Sequence, residues 1–266
     1  MTTRIATVLP FLLCAPFAAG EDAKVVPQPR AHAHNDYEHA RPLLDALDAG
    51  FCSFEADVWL VKGELLVAHD FGKVKPERTL QKLYLDPLRE RVKANGGKVY
   101  RGGPEFFLMI DVKSNAKETY AALAKVLEQY ADILTVTRDG KGEVKAVTVV
   151  ISGNRDVSTM RDQKVRYAGV DGRPADLNGD APASLVPWVS DNWRNHFKWN
   201  GTGAMPDEER TKLREFAEKA HKQGRKLRFW ATPEKEEVWK ELHAAGVDFL
   251  NTDRLKELAE FLKDQK

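Results

Sequence analysis

A handful of polar residues in the first half of the sequence carry the types and spacing that do chemistry. In Phe54-Glu55-Ala56-Asp57-Val58 strand alternation turns both carboxylates to one face and the apolar residues to the other. Two carboxylates aimed the same way from an apolar strand repel each other and resist desolvation unless a cation or a proton sits between them. The ordinary alternative is a half-exposed antiparallel strand with a solvated acidic face. Their company speaks against it: His34 lies upstream, His69 shortly after, and a second apolar run, 105–113, carries Asp111 and Lys113. Glu55, Asp57 and Asp111 offer hard oxygen ligands with no thiolate, a set that suits one divalent cation, Mg2+ or Ca2+, better than zinc. Imidazole titrates near neutral pH, so His34 and His69 on either side of such a cation can share general acid and general base duties. Lys113, two residues past Asp111 and hence on the same strand face, either neutralises a phosphate oxygen or pairs with a neighbouring carboxylate. Together these groups supply what cleavage of a phosphodiester needs: a neutralised anion, an activated nucleophile and a protonated leaving oxygen.

Such groups must be held at strand ends. Residues 30–33 read as a first strand running into His34-Asn35-Asp36-Tyr37, 41–49 as a helix stopped by Gly50, and 51–69 as a hairpin turning at Lys62-Gly63-Glu64. Residues 71–104 read as irregular, apart from a helix over 87–94 closed by Gly96-Gly97. The run 105–113 is almost continuously apolar, as expected for a strand buried on both faces of a parallel sheet, and 117–130 is an amphipathic helix. Further strands are expected over 145–152, 165–170, 186–190, 226–231 and 247–251, with helices over 154–163, 208–223, 234–245 and from Arg254 on; Asp139-Gly140 marks a hairpin turn. About eight strands alternating with helices predict an α/β fold, a (β/α)8 TIM barrel, forming one domain over 21–266. Active sites of such barrels lie at the C-terminal ends of the strands. His34, Glu55, Asp57, His69, Asp111, Lys113, Trp230 and Asn251 all fall at or near those ends, Trp230 and Asn251 joining Lys113 as expected substrate contacts.

Composition narrows the classes. The 266 residues are 42% hydrophobic, enough for a sizeable core. A net charge of +1 without a long run of one sign gives no electrostatic case for nucleic acid or an anionic membrane surface. The glycine loops GxGxxG and GxxxxGK[ST] are absent, as are low complexity and any repeat of solenoid period. Arg4, the apolar segment 5–17, Ala18-Ala19-Gly20 and then Glu21-Asp22 follow the order of a secretory signal peptide over 1–20, too short for a membrane anchor. The expectation is a secreted or periplasmic monomer without stable membrane insertion. Leu13 is large where lipoprotein processing at Cys14 wants a small residue, which favours plain export. Only Cys52 then remains in the mature chain, so no intrachain disulfide forms, and on its apolar strand Cys52 is expected simply to pack.

The order H-N-D-Y at 34–37, E-A-D at 55–57, L-L-V-A-H-D at 65–70, I-D-V-K at 110–113, R-F-W at 228–230 and N-T-D at 251–253 resembles the phosphatidylinositol-specific phospholipase C-like phosphodiesterases. That superfamily includes the glycerophosphodiester phosphodiesterases and the sphingomyelinase D-type phospholipases. The resemblance spans 30–255 and implies a barrel with a divalent metal on Glu55 and Asp57 and with His34 and His69 as the acid/base pair. It implies a phosphoric diester hydrolase acting on a glycerophosphodiester or a phospholipid-type diester. In glycerophosphodiesterases the third-strand ligand is usually Glu. Asp111 instead matches the sphingomyelinase D-type members, whose lysine two positions later corresponds to Lys113 and whose active-site tryptophan corresponds to Trp230. Glycerophosphodiesterases also begin H-R-G and follow with a P-E-N-T-type segment, whereas this chain has H-N-D-Y and lacks the latter. His-Asn is the pairing of the phosphoinositide phospholipases C, in which the Asn is a metal ligand, so the resemblance implies Asn35 as a further ligand. The mixture widens the substrate class to small-molecule or lipid phosphodiesters.

Two other readings compete. His32 and His34 form H-x-H after a first strand, the entry motif of metal-dependent amidohydrolases. Those sites need more histidines at later strand ends, whereas His221 and His243 fall in helices and His196 in a loop. The other reading is a catalytically inactive barrel that binds phosphorylated ligands; the presence of both His34 and His69 speaks against it. Trp188, Trp193 and Trp199 either line a substrate mouth or pack locally, and 171–205 is long enough for a connection that caps the site.

Overall fold

Alternating strands and helices close on themselves in the computed structural model, which describes residues 25–265; the expected signal segment and Cys14 lie outside the described residues. In chain order, β1 (Gln28–Ala33) is followed by α1 (Leu44–Asp48), β2 (Phe51–Val61), β3 (Glu64–Val67) and α2 (Asp86–Ala94). Next come β4 (Phe106–Val112), α3 (Ala116–Glu128), β5 (Val136–Arg138), β6 (Lys141–Glu143), β7 (Val147–Gly153), α4 (Val157–Asp162), β8 (Val165–Arg166) and β9 (Gly169–Gly172). The chain ends with β10 (Trp188–Asn192), α5 (Asp207–Lys222), β11 (Lys226–Trp230), α6 (Glu236–Ala244), β12 (Phe249–Thr252) and α7 (Leu255–Lys263).

Strands β1, β2, β4, β7, β9, β10, β11 and β12 pair in parallel in that order, and β12 pairs with β1 to close an eight-stranded barrel. β3 runs antiparallel to the end of β2, joined through Lys62 and Gly63, both at positive φ as a tight hairpin turn requires. β5, β6 and β8 make a separate three-stranded antiparallel sheet.

Residues Gln81–Leu85, expected to be irregular, form a π-helical turn ahead of α2, and two further differences from the sequence expectation have a visible cause. The strand expected over 165–170 divides: Val165–Arg166 pairs with β5, and only Gly169–Gly172 enters the barrel. The hairpin of β5 and β6 offers an antiparallel partner there, and Arg166 is drawn toward the Ser184 carbonyl at 2.8 Å. The helix expected over 41–49 shrinks to Leu44–Asp48 because Leu43 takes φ 67 and gives its N–H to Asp36 Oδ2 at 2.6 Å.

Alternation sets the core. Phe106, Leu108, Ile110 and Val112 of β4 point out to the helices, while Phe107 and Met109 point into the barrel. There they join Val150, Trp188 and Phe249 in a buried plug, with the Trp188 and Phe249 ring centres 4.8 Å apart. Trp188 thus packs. So do Trp193 and Trp199, both buried, Trp193 stacking on Phe197 and meeting Phe229 edge-on outside the barrel. Cys52 is buried and free among apolar neighbours. Among the described residues no helix is long and apolar enough to cross a membrane.

Candidate active site

Beside and above the plug the inward positions turn polar. On β2, Ser53, Glu55 and Asp57 point inward while Phe54, Ala56 and Val58 join the outer core. Register sets Asp57 beside Asp111 of β4, so the two carboxylates share one level of the barrel mouth. Oxygen atoms of Glu55, Asp57 and Asp111 all lie within 4.8 Å of one another. Gly153, φ 66 at the end of β7, presses against Asp111; a Cβ there would collide with Asp111 Oδ1 and the Val112 carbonyl. Lys113 sits over the group, its Nζ 3.0 Å from Asp57 Oδ2 and 3.2 Å from Asp111 Oδ1.

Crowding shows in the titration of these groups. Burial, with Glu55 and Asp57 close by, pushes Asp111 up to about 6 despite Lys113. Asp57 is likewise raised by burial and by Glu55. Burial works on Glu55 too, but Arg228 and the two neighbouring histidines outweigh it and hold Glu55 down at about 2.

Each histidine approaches a different carboxylate of the cluster, His34 that of Glu55 and His69 that of Asp57. His34 follows β1, and its main-chain N–H donates to the Thr252 carbonyl at 3.0 Å. Its Nδ1 lies 2.9 Å from Asp253 Oδ1, and its Nε2 points to Glu55 Oε2 at 3.9 Å. Burial lowers the His34 pKa, but Asp253 and Glu55 outweigh burial and raise it. His69 is carried back by the β2–β3 hairpin, where the Ala68 N–H donates to the Asp57 carbonyl at 3.1 Å. Its Nδ1 meets Asp57 Oδ2 at 2.9 Å. Asn35, in the left-handed region at φ 49, accepts the Tyr37 hydroxyl on Oδ1 at 2.7 Å and donates through Nδ2 to Asp253 at 3.3 Å. Trp230 stands 38% exposed at the rim, open to the mouth. Asn251 does not stand there: it is buried, and its Oδ1 accepts from Arg228.

Three residues of this site carried no role in the sequence reading. Arg228 is buried inside the barrel, donating to Glu55 Oε2 at 3.0 Å and to Asn251. Its inward position, two residues before Trp230 on one strand, was the available signal. Tyr37 places its hydroxyl 2.7 Å from Asp57 Oδ2 and 3.2 Å from His69 Nδ1. Asp253, two residues past Asn251, orients His34. His32, by contrast, lies below them, its Nδ1 on Ser53 Oγ at 2.7 Å and its ring edge-on to Trp188. His221 pairs with Asp248 and His196 with Asp191, so no second set of histidines joins His32 and His34.

These residues fit a divalent cation. Asp57 Oδ1 is buried without a hydrogen-bond partner, an arrangement that costs free energy unless a cation or donor approaches. Three carboxylates around that oxygen are the donor chemistry of Mg2+ or Ca2+.

Comparison with known proteins agrees with this fold. Residues 21–170 match the AIM6-like phosphodiesterase domain, and residues 226–256 match the glycerophosphoryl diester phosphodiesterase family. The chain is 31% identical over 268 residues to altered inheritance of mitochondria protein 6 of Eremothecium gossypii, covering 87% of this chain and 69% of that protein. It is 29% identical over 263 residues to the homolog of Arthroderma benhamiae, covering 86% and 82%. Its fold is similar to that of a glycerophosphodiester phosphodiesterase from Parabacteroides distasonis, with TM-score 0.52 and 13% identity over 89% of this chain and 97% of that one. It is also similar to a calcium-dependent phosphoinositol-specific phospholipase C from a Pseudomonas species, with TM-score 0.54 and 12% identity over 85% and 89%.

Proposed function

The chain belongs to the family of AIM6-like phosphodiesterase domains, and from that premise we propose that it is a divalent-metal-dependent hydrolase of a small-molecule or lipid phosphodiester, with His34 and His69 as its acid/base pair. The observation that carries this reading is the placing of two imidazoles at one carboxylate cluster, each anchored through Nδ1 to a different aspartate. His34 spends Nδ1 on Asp253 and His69 spends Nδ1 on Asp57, which leaves both Nε2 atoms for protons of the substrate. One imidazole then removes a proton from the attacking oxygen while the other donates a proton to the departing alkoxide. Lys113 lies where it can neutralise a phosphate oxygen, and Trp230 offers an exposed ring to the alcohol arm. Arg228 holds Glu55 ionised beneath them.

Glu55, Asp57 and Asp111 would hold the cation, with the Asn35 side chain alongside, linked to Asp57 through Tyr37. Bound there, a divalent cation supplies Lewis-acid neutralisation of the phosphoryl charge. A metal-free version has one observation in its favour, since the Lys113 ammonium already bridges Asp57 and Asp111. The deciding experiment is a panel of phosphodiesters assayed with and without chelator, products identified by phosphorus NMR. Activity is expected to vanish on chelation and to return with Mg2+ or Ca2+; full activity after exhaustive chelation would exclude the metal-dependent form.

The signal-like order of residues 4–20 supports export, and N-terminal sequencing of the exported protein tests it: a chain that keeps Met1 contradicts export.

A further inference from the structure

The barrel mouth holds two groups of charged side chains. On the β2–β4 side three carboxylates, Glu55, Asp57 and Asp111, face two cations, Lys113 and Arg228, leaving negative charge in excess. On the adjoining β7–β9 side two guanidiniums, Arg155 and Arg173, lie beside the carboxylate of Asp171, with Asp176 and Asp111 also near Arg155. The Asp171 carboxylate is fully buried: Oδ2 accepts from Ser152 and Ser190, each at 2.7 Å, and from Arg173 at 2.8 Å, while Oδ1 is buried without a hydrogen-bond partner. Arg155 is left with the main-chain carbonyl of Asp171, which Arg173 also approaches. Its Nε is buried without a partner, and among the described residues it forms no ion pair. A half-buried guanidinium beside a second one, with no carboxylate at ion-pair distance, carries an electrostatic cost that a bound anion lowers.

Arg155 also has company that suits an anion. With Lys113, Asn115, Gly153 and Asn154 it lines a hollow of about 610 Å³, and Gly153 abuts Asp111, which puts the hollow beside the carboxylate cluster. The first turn of α3 forms part of its wall through Ala116, and the start of a 13-residue helix favours negative charge. The proposed cleavage uses His34, His69 and Lys113 on the scissile phosphate and gives Arg155 no part.

We propose that this hollow binds a second oxyanion carried on one alcohol arm of the substrate, distinct from the phosphate being cut. Favoured substrates are then phosphodiesters with a carboxylate or a phosphomonoester on that arm. The inference rests on the diesterase reading for the arm, but not for the binding of the anion.

Two measurements test it. Inorganic phosphate is titrated calorimetrically into the full chain kept free of divalent cation, so that no metal on Glu55, Asp57 and Asp111 can hold it. Wild type should bind phosphate, Arg155→Gln should bind it at least about tenfold more weakly, and Arg155→Lys, which keeps the charge, should fall between. Circular dichroism confirms the fold of each variant, and the lysine variant serves alone if the glutamine variant does not fold. In the second measurement, nitrophenyl phosphodiesters differ only in the end of the other arm: hydroxyl, carboxylate or phosphomonoester. The ratio of kcat/KM for charged over neutral arms should exceed one in wild type and fall about tenfold in Arg155→Gln, and the arm with the steeper fall identifies the anion. Phosphate binding indifferent to Arg155, or a ratio that the substitution does not move, overturns the proposal. If wild type cuts no diester at all, the diesterase reading fails with the arm assignment, and the phosphate titration still judges the hollow.

Discussion

Two levels of the barrel interior, one step of strand alternation apart, carry opposite chemistry. The lower level is Phe107, Met109, Val150, Trp188 and Phe249, packed ring on ring and buried. Two residues further along the same strands, on the same inward face and roughly 7 Å higher, stand Asp111 above Met109, Ser152 above Val150, Ser190 above Trp188 and Asn251 above Phe249. On these four strands height decides whether an inward residue packs or turns polar, whereas on β2 the polar residues begin lower, Ser53 beside Phe107 and Glu55 beside Met109. The lower level excludes water and fixes the strands, and that rigidity lets the upper level hold carboxylates, imidazoles and guanidiniums at fixed separations.

The largest effects should come from the upper level and should spare the fold. His34→Ala and His69→Ala should each lower kcat by about 10² to 10⁴-fold, the usual worth of a positioned acid or base, with smaller effects on KM. A diester with a nitrophenolate leaving group needs no protonation of that group, so it should rescue the variant lacking the acid far more than the one lacking the base. Near-normal turnover in both variants, with metal still bound, would break the assignment of chemistry to this level.

Next in size is a change at the lower level. Trp188→Ala empties the centre of the aromatic plug and should cost about 3–5 kcal/mol of stability in denaturant unfolding. The fraction that stays folded should bind cation with unchanged affinity. A large loss of cation affinity in folded protein would mean that the two levels are less separable than their spacing implies.

That separation explains what was legible in the sequence. Glu55, Asp57 and Asp111 could be read because alternation betrays an inward carboxylate on an otherwise apolar strand, and the histidines because they follow strand ends. The barrel was legible from the same alternation, save where 165–170 splits between two sheets, since a competing hairpin partner leaves no local mark. Arg228 was harder, because a lone arginine in a strand reads as a solvated face until its inward neighbours are known. Its presence also explains Asn251, which was expected to meet substrate but is occupied by the guanidinium below the rim. Arg155 and Arg173 gave no signal, because what unites them is the carbonyl and carboxylate of Asp171 on another strand.

Arg228 sharpens the comparison, since it belongs to the charged level yet is as buried as the plug. Arg228→Leu leaves Glu55 without its main counter-charge and should cost about 3 kcal/mol, the lower end for breaking a buried ion pair. If a divalent cation shares Glu55, adding Mg2+ or Ca2+ should raise the thermal midpoint of this variant more than that of wild type. Equal shifts in the two proteins would remove Glu55 from the ligand set.

The smallest effect is expected at a carboxyl that adjoins the site in sequence but not in space. Asp36 follows Asn35, yet its side chain turns away from the mouth and is fully buried, accepting the Leu43 N–H and the Tyr84 hydroxyl. Burial pushes Asp36 up to about 7, from 3.8 in an unfolded chain, against the pull of those two hydrogen bonds. Between those values the folded protein holds a proton that the unfolded chain has released, so this contribution to stability is complete below about pH 4 and is lost as pH rises through 7. Asp36→Asn removes the titration, and the stability lost between pH 4 and pH 7 should shrink relative to wild type. His32, held down at about 3 chiefly by burial, acts in the opposite sense, losing stability as pH falls below 6.5. It is common to both proteins and drops out of their difference. Thermal midpoints of the pair from pH 4 to pH 8 give the measurement. Parallel curves would show that Asp36 is ionised throughout, and a pH-dependent change in turnover instead of stability would move it from the packing to the site.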